Sequence, residues 1–228
     1  MATTEQIIAR VRDEIDAKEY SVNRILDLFN DCLISVAAGR FSEAPDLNEI
    51  FLPALETSST VDTSTSLPYV SLPENYQKSL LSCYNETTDS DVSILPSLTT
   101  LDAMFPGLEE TYSVEYVAVA GLNLYYQGMP DTSQNLTIRY FRKPTTLVIG
   151  AEPDCLPAHL QIPVLKNYAL WNMYLKKEYM LPQKANADYY KAAFIADLAD
   201  LALICNDSRP YTKRPIRIKS VSPIKMIA

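Results

Sequence analysis

The residues able to do chemistry in this chain are few and scattered. His159 is the one histidine among 228 residues. A histidine general base needs a nucleophile within hydrogen-bond reach, and no serine or cysteine elbow lies near it. Its position just ahead of a helical pattern predicts capping or packing at that helix start. The four cysteines, Cys32, Cys83, Cys155 and Cys205, form no CxxC pair, and one histidine cannot complete the common zinc spacings. Buried free thiols are the expected state. Asp197 and Asp200 are three apart and can share a helix face with Asp188 nearby, which reads as a solvated face before it reads as a metal site. Trp171 with Tyr168 and Tyr174 offers an aromatic platform, but helical spacing predicts core and subunit interface instead. Five glycines leave no phosphate-cradling loop. The expectation is a chain with no catalytic residue, no metal and no cofactor: not an enzyme.

The charge pattern is more informative. The formal net charge is −8, which argues against a nucleic-acid-binding module. The balance is uneven. From Ser208 onward there are six basic residues and no acidic one, leaving 14 basic against 28 acidic in the first 207. An acidic body carrying a basic tail suggests an interaction arm. Within that tail Arg209, Tyr211, Lys213, Arg214, Ile216, Arg217, Ile218 and Lys219 are the candidate partner-binding residues. The run Arg214 to Lys219 alternates and reads as a short strand able to add to a sheet edge. No run is long and apolar enough for a membrane span, and the amphipathic start of the chain does not resemble a signal peptide. The sequons at Asn85 and Asn135 are then chance matches.

The elements that must position these residues fall into four segments. Residues 1–40 read as two helices. Thr3 with Gln6 makes a capping box ahead of Ile7, Ile8, Val11 and Ile15. Ser21 caps a stripe of Val22, Ile25, Leu26, Phe29, Cys32, Leu33 and Val36, and Gly39 sits where a C-terminal cap belongs. Residues 41–150 read as β-rich. Thr57 to Ser66 is Ser/Thr-rich, with a hairpin expected near Asp62-Thr63 beside the linker alternative. Tyr69 to Pro73 is extended, and Ser97 to Met104 is a short helix. Tyr112, Val114, Tyr116 and Ala118 alternate, then Leu122, Leu124 and Tyr126, then Leu136, Ile138 and Tyr140, with a turn at Gly128 to Asp131 that predicts an antiparallel hairpin. Residues 151–207 return to helix. Pro163 suits a first turn, Val164, Tyr168, Trp171 and Leu175 share a face, and Asn186 is the expected cap of a last helix carrying Tyr190, Phe194, Leu198, Leu201 and Cys205. Residues 208–228, with three prolines and no helical run, form an extended arm. The expected fold class is α+β. Helices from both chain ends make a bundle, since their stripes can be buried only against each other, and an antiparallel β domain is inserted between them.

Several segments carry a resemblance. Leu72-Pro73-Glu74-Asn75-Tyr76, the run Ser113 to Leu124, and above all Leu136-Thr137-Ile138-Arg139-Tyr140-Phe141-Arg142-Lys143-Pro144 followed by Leu156-Pro157-Ala158-His159-Leu160 occur in this order across most of the chain. The set resembles the head-to-tail adaptor proteins of tailed, mainly short-tailed, bacteriophages, also called connectors or tail tubular protein A. The resemblance implies a homo-oligomeric ring, twelve-fold in that family, docked on the portal protein. Its far side would receive the tail nozzle or tail tube protein. It implies a virion neck protein assembled in the host cytoplasm, with no membrane involved. DNA would pass through the lumen without specific binding, and negative walls suit that because they offer no counterion-release affinity. The family's motifs are structural, so no catalytic residue carries over. Two other readings stand beside it: a different neck or tail-completion protein, and a monomeric ligand-binding module built on the Tyr-rich β block.

Overall fold

Local signals start the first two helices. The computed structural model describes residues 2–15, 20–39, 50–107, 113–175 and 181–207. Thr3 Oγ1 accepts from the Gln6 N–H, and Gln6 Oε1 accepts from the Thr3 N–H, so α1 (Thr4–Glu14) begins at the expected capping box. Ser21 caps α2 (Val22–Ala38) through the Arg24 N–H. Gly39 closes α2 at φ 65°, a left-handed conformation that glycine adopts without strain, and its N–H donates to the Ser35 and Val36 carbonyls.

The middle of the chain is one seven-stranded sheet. A short 3-10 turn at Pro53–Leu55 leads into β1 (Glu56–Asp62), followed by β2 (Tyr69–Ser71), β3 (Tyr76–Asn85) and β4 (Ser90–Leu95). After α3 (Leu98–Met104), which Ser97 caps, come β5 (Tyr116–Ala120), β6 (Asn123–Tyr126) and β7 (Asn135–Arg142). The spatial order is β1-β7-β3-β4-β5-β6-β2. All neighbours run antiparallel except β4 and β5. The sheet is therefore mixed, which corrects the expected all-antiparallel domain. The cause is α3: a helical connection between β4 and β5 returns the chain to the same end of the sheet, so the two strands run parallel.

Two expected hairpins are absent. No turn near Asp62-Thr63 folds β1 back on its successor. The Thr63 N–H donates to the Gln134 carbonyl at 2.9 Å, and Ser64 and Leu67 are held by the Tyr126 hydroxyl, so the chain crosses to the opposite sheet edge. Nor do the strands flanking Gly128 to Asp131 pair: β6 lies between β5 and β2, and β7 between β1 and β3. The hairpin that does form there joins β5 to β6 across Gly121, at φ 62°. Tyr112 of the expected alternation lies outside the described residues.

The last two helices are α4 (Gln161–Leu175) and α5 (Leu181–Asp207). Pro163 sits in the first turn of α4, as expected. The buried side chains of α4 do not form the single predicted stripe. Val164, Leu165, Ala169, Leu170 and Met173 are buried, and Tyr168, Trp171 and Tyr174 pack on the same core from other directions. A helix that buries apolar side chains in several directions is one enclosed by neighbours, and α4 touches α1, α2 and α5. Asn186 does not cap the last helix. It lies exposed inside α5, five residues after the start at Leu181.

Side chains from both chain ends share one hydrophobic core: Ile7 and Val11 of α1, Ile25 and Phe29 of α2, Leu165 and Met173 of α4, and Phe194 and Leu198 of α5. A second core lies within the sheet, around Val117, Leu124, Tyr126, Leu136, Ile138 and Tyr140. Strand β7 joins the two. Alternation turns Ile138 and Tyr140 into the sheet core and Phe141 into the helical core, where its ring meets Phe51 at 5.3 Å.

Candidate functional site

Helices α1, α4 and α5 are tied by polar contacts around Glu14. Its two carboxylate oxygens accept from Lys166 Nζ at 2.9 Å and from the Tyr190 hydroxyl at 2.8 Å. Tyr190 in turn stacks on Tyr174 with centroids 5.6 Å apart. Partial burial works to raise the Glu14 carboxyl, but the bonds from Lys166 and Tyr190 outweigh it and leave its pKa below the ordinary 4.5. A carboxylate with a depressed folded pKa stabilises the fold above its unfolded pKa and loses that contribution as pH falls through the folded value. Glu14→Gln should therefore destabilise by roughly 0.5 kcal/mol near neutral pH, the size of a partly exposed pair, with the difference from wild type fading in acid. Urea melts of both proteins at about pH 7 and about pH 3.5 check this; a difference unchanged between the two contradicts it. The N-terminus is pinned at a neighbouring point. Buried Gln161 accepts from the Ala2 N–H at 2.9 Å and donates to the carbonyls of Pro153 and Leu156.

The residues singled out for chemistry fall into structural roles. Trp171 stacks on Phe194 at 5.9 Å, and Tyr168 meets both rings edge-on, so the supposed platform is helical core. All four cysteines are buried free thiols. Burial pushes Cys83 up to about 12 and Cys155 up to about 11, and it raises Cys32 and Cys205 as well, so each thiol stays protonated at neutral pH. His159 is exposed in the turn before α4. Asp197 accepts from Asn167 Nδ2 at 2.7 Å, while Asp188 and Asp200 are exposed. Partial burial raises the Asp197 pKa, Asn167 and Lys166 draw it down, and Asp200 adds to the rise. Among the described residues no group of three His, Cys, Asp or Glu is placed to hold a metal ion. No helix among them is long and apolar enough to cross a membrane. The arm residues Arg209, Tyr211, Lys213, Arg214, Ile216, Arg217, Ile218 and Lys219 lie outside the described residues.

A set of buried polar side chains was not singled out by sequence reasoning. Gln134 Oε1 accepts from Asn85 Nδ2 at 2.6 Å and from the Val114 N–H at 3.0 Å, and the Gln134 N–H donates to Thr63 Oγ1 at 2.8 Å. Gln127 accepts from the N–H groups of Glu115 and Tyr116 and donates to the Ser113 carbonyl. These residues satisfy the backbone where the ladders of β1, β3, β5 and β7 end. A hint lay in the sequence: Gln127 and Gln134 bracket the Gly128 to Asp131 turn.

Among the described residues, the longer sheet edge without a pairing strand is the outer side of β1. On its inner side β1 pairs with β7 over all seven residues without a bulge, from Glu56↔Phe141 to Asp62↔Asn135. Because the Thr63 N–H bonds the Gln134 carbonyl, the alternation of an antiparallel ladder puts the N–H and C=O of Thr57, Ser59 and Val61 toward β7. Those of Ser58 and Thr60 then face outward, where no strand among the described residues pairs with them. Ser58, Thr60 and Asp62 are exposed, and Thr57, Ser59 and Val61 are half-buried beside the sheet core.

Among the described residues, most of the side chains singled out for chemistry take part in the fold. The chain belongs to the SU10 adaptor protein family, whose model it matches over residues 2–219. It is thus a phage adaptor, a structural component of the virion. No curated protein matches the chain. The family match extends past the end of α5 and takes in the alternating run up to Lys219.

Proposed function

We propose that this protein is the head-to-tail adaptor of a short-tailed phage, forming a closed homo-oligomeric ring, twelve-fold as in the family it resembles. The ring joins the portal protein to the tail nozzle and leaves a channel through which DNA moves without specific binding. Residues 1–40 and 151–207 form the helical bundle, 41–150 the inserted β domain, and 208–228 an arm that binds a partner during assembly in the host cytoplasm. The observation that carries this reading is the family match over nearly the whole chain. Two physical features support it. Helices from both ends share a core with α4 at its centre, which gives a rigid block suited to side-by-side packing. The acidic balance of the first 207 residues, 28 acidic against 14 basic, disfavours adhesion of DNA to the walls.

The test is to mix the protein with the portal encoded in the same genome and examine the product by electron microscopy. Closed rings stacked on the portal are expected. A protein that stays monomeric and never binds the portal excludes the adaptor role and moves the reading to another neck component. The arm is tested in the same mixture. Deleting residues 208–228 should lower the yield of portal-bound rings more than about tenfold, the loss of affinity that one to two hydrogen-bonded contacts supply. The thermal melt should not move. An undiminished yield removes the arm from assembly.

A further inference from the structure

We infer that the outer edge of β1 is the acceptor for the arm of a second copy of this chain, residues 214–219 of one subunit adding as an eighth strand to the sheet of its neighbour. The inference rests on the adaptor reading, and four observations carry it.

Among the described residues no strand covers the edge, and it lacks the usual defences. Natural sheets blunt long edges with lysine, proline or bulges. The opposite edge, β2, is only three residues long. β1 is seven residues long, pairs regularly, and contains no lysine, arginine or proline. It leaves the N–H and C=O of Ser58 and Thr60 directed outward, the donors and acceptors an incoming strand needs.

The two faces of that edge match the two faces of the arm. On the core side Val61 is half-buried next to Leu136 and Ile138, a rim that added aliphatic side chains would extend. On the outer side stand the carboxylates of Glu56, Asp62 and Glu86 against one guanidinium, Arg139, which is paired with Glu56. In the arm, Ile216 and Ile218 alternate with Arg217 and Lys219. A strand with Ile216 and Ile218 on the core side places Arg217 and Lys219 on the acidic side, with Arg214 at its first position, at the rim of the core side. Pro215, which has no N–H to offer, falls at the start of this run, where a strand tolerates it.

A stretch of chain precedes the run and gives it reach. Residues 208–213 separate the end of α5 from Arg214 and span up to about 20 Å when extended. The family match ends at residue 219, where the alternation stops.

A second copy is the occupant because closed rings need two unlike surfaces per subunit, and an arm plus an open edge are such a pair. An arm folded onto its own β1 would consume both. That alternative is sterically near, since Ile204 and Cys205 at the end of α5 line one groove with Pro53 and Ala54 just ahead of β1. The test therefore separates the two.

Full-length protein carrying p-benzoylphenylalanine at position 218 is mixed with an excess of 15N-labelled full-length protein without the probe, together with the portal. After irradiation the cross-linked peptides are read by mass spectrometry. The expected product joins the unlabelled arm to a labelled peptide containing residues 56–62. Thr60→Pro, which removes an outward N–H but no bond to β7, should cut that product about tenfold, as should Arg217→Glu, which alters none of the strands β1 to β7. Cross-links confined to unlabelled β1 show the arm docked on its own subunit and overturn the inference; cross-links only to the portal, or to other surfaces, do the same. Electron micrographs of the same mixture keep the two readings apart. Portal-bound rings without the cross-link sink the arm-to-β1 contact alone, and absence of both rings and cross-link sinks the adaptor reading with it.

Discussion

Replacing Phe194 with alanine should remove about 4 kcal/mol of stability, the cost of a large cavity where an aromatic side chain was enclosed. Phe194 is 1% exposed, in the middle of the helical core. Its ring lies 5.9 Å from Trp171 and 5.2 Å from Tyr168, so truncation forfeits two aromatic contacts in addition to the transfer term. The walls cannot close in easily. Trp171 and Tyr168 stand on α4, which is also packed against α1 and α2, and moving it toward α5 would open gaps on those sides. For a chain of this size the loss corresponds to a melting temperature lower by about 10 °C. Trp171 is the single tryptophan, so its emission reports this region without ambiguity. A urea melt followed by tryptophan fluorescence checks the value. A loss below about 1.5 kcal/mol would mean that the site collapses freely and that α4 is less constrained than its neighbours imply.

The helices were largely legible in the sequence because their boundaries are set locally. Thr3 with Gln6, Ser21, Gly39 and Ser97 each act within four residues of their own position, and each cap forms as its residue type predicts. Asn186 shows the limit of the same logic. Asparagine is a good cap, but here it sits exposed one residue before the buried Ala187 and the helix runs through it. The proposed arm shows in the sequence only as composition and alternation, and its residues lie outside the described ones.

The sheet was read less well, for a physical reason. Strand pairing is non-local: β1 pairs with β7, some eighty positions away, and the turn residues between expected hairpins are held by distant groups such as the Tyr126 hydroxyl. β3 and β4 went unread altogether. The pairing of β3 with β7 shifts register three times between Tyr76 and Ser82, and Ser79 takes a positive φ of 53°. Each bulge reverses the inward face, so the two-residue alternation that announces a strand is erased. The open edge of β1, on which the proposed ring contact depends, follows from the strand order and could not be seen before it. That order also explains why Ser- and Thr-rich residues are tolerated in β1: an edge strand has one side toward solvent.

Gln134→Met should cost about 3 kcal/mol, although the side chain is of similar size and more apolar. The buried Gln134 carbonyl oxygen is the acceptor for the Asn85 amide at 2.6 Å and the Val114 N–H at 3.0 Å, and both donors belong to fully buried residues. Methionine offers no such acceptor, so the Val114 N–H and one Asn85 amide N–H lose their partner while the Asn85 amide keeps its 3.4 Å bond to the Val114 carbonyl; each lost partner costs about 1–3 kcal/mol. Asn85 keeps its own carbonyl bonds to the Thr87 and Thr88 N–H groups, so it cannot turn to find another partner without breaking those. Asn85→Ala removes one of the stranded donors. The double variant Asn85→Ala/Gln134→Met should therefore lose less than the two single losses added together, by about 1 kcal/mol or more. Guanidinium melts followed by circular dichroism measure all three. Strict additivity would show that Asn85 and Gln134 act independently and that the junction of β3, β5 and β7 is held by its ladders alone. Sub-additivity would show one coupled polar unit fixing where those strands end, and so fixing the register of β7, on which the direction of the outward groups of β1 depends.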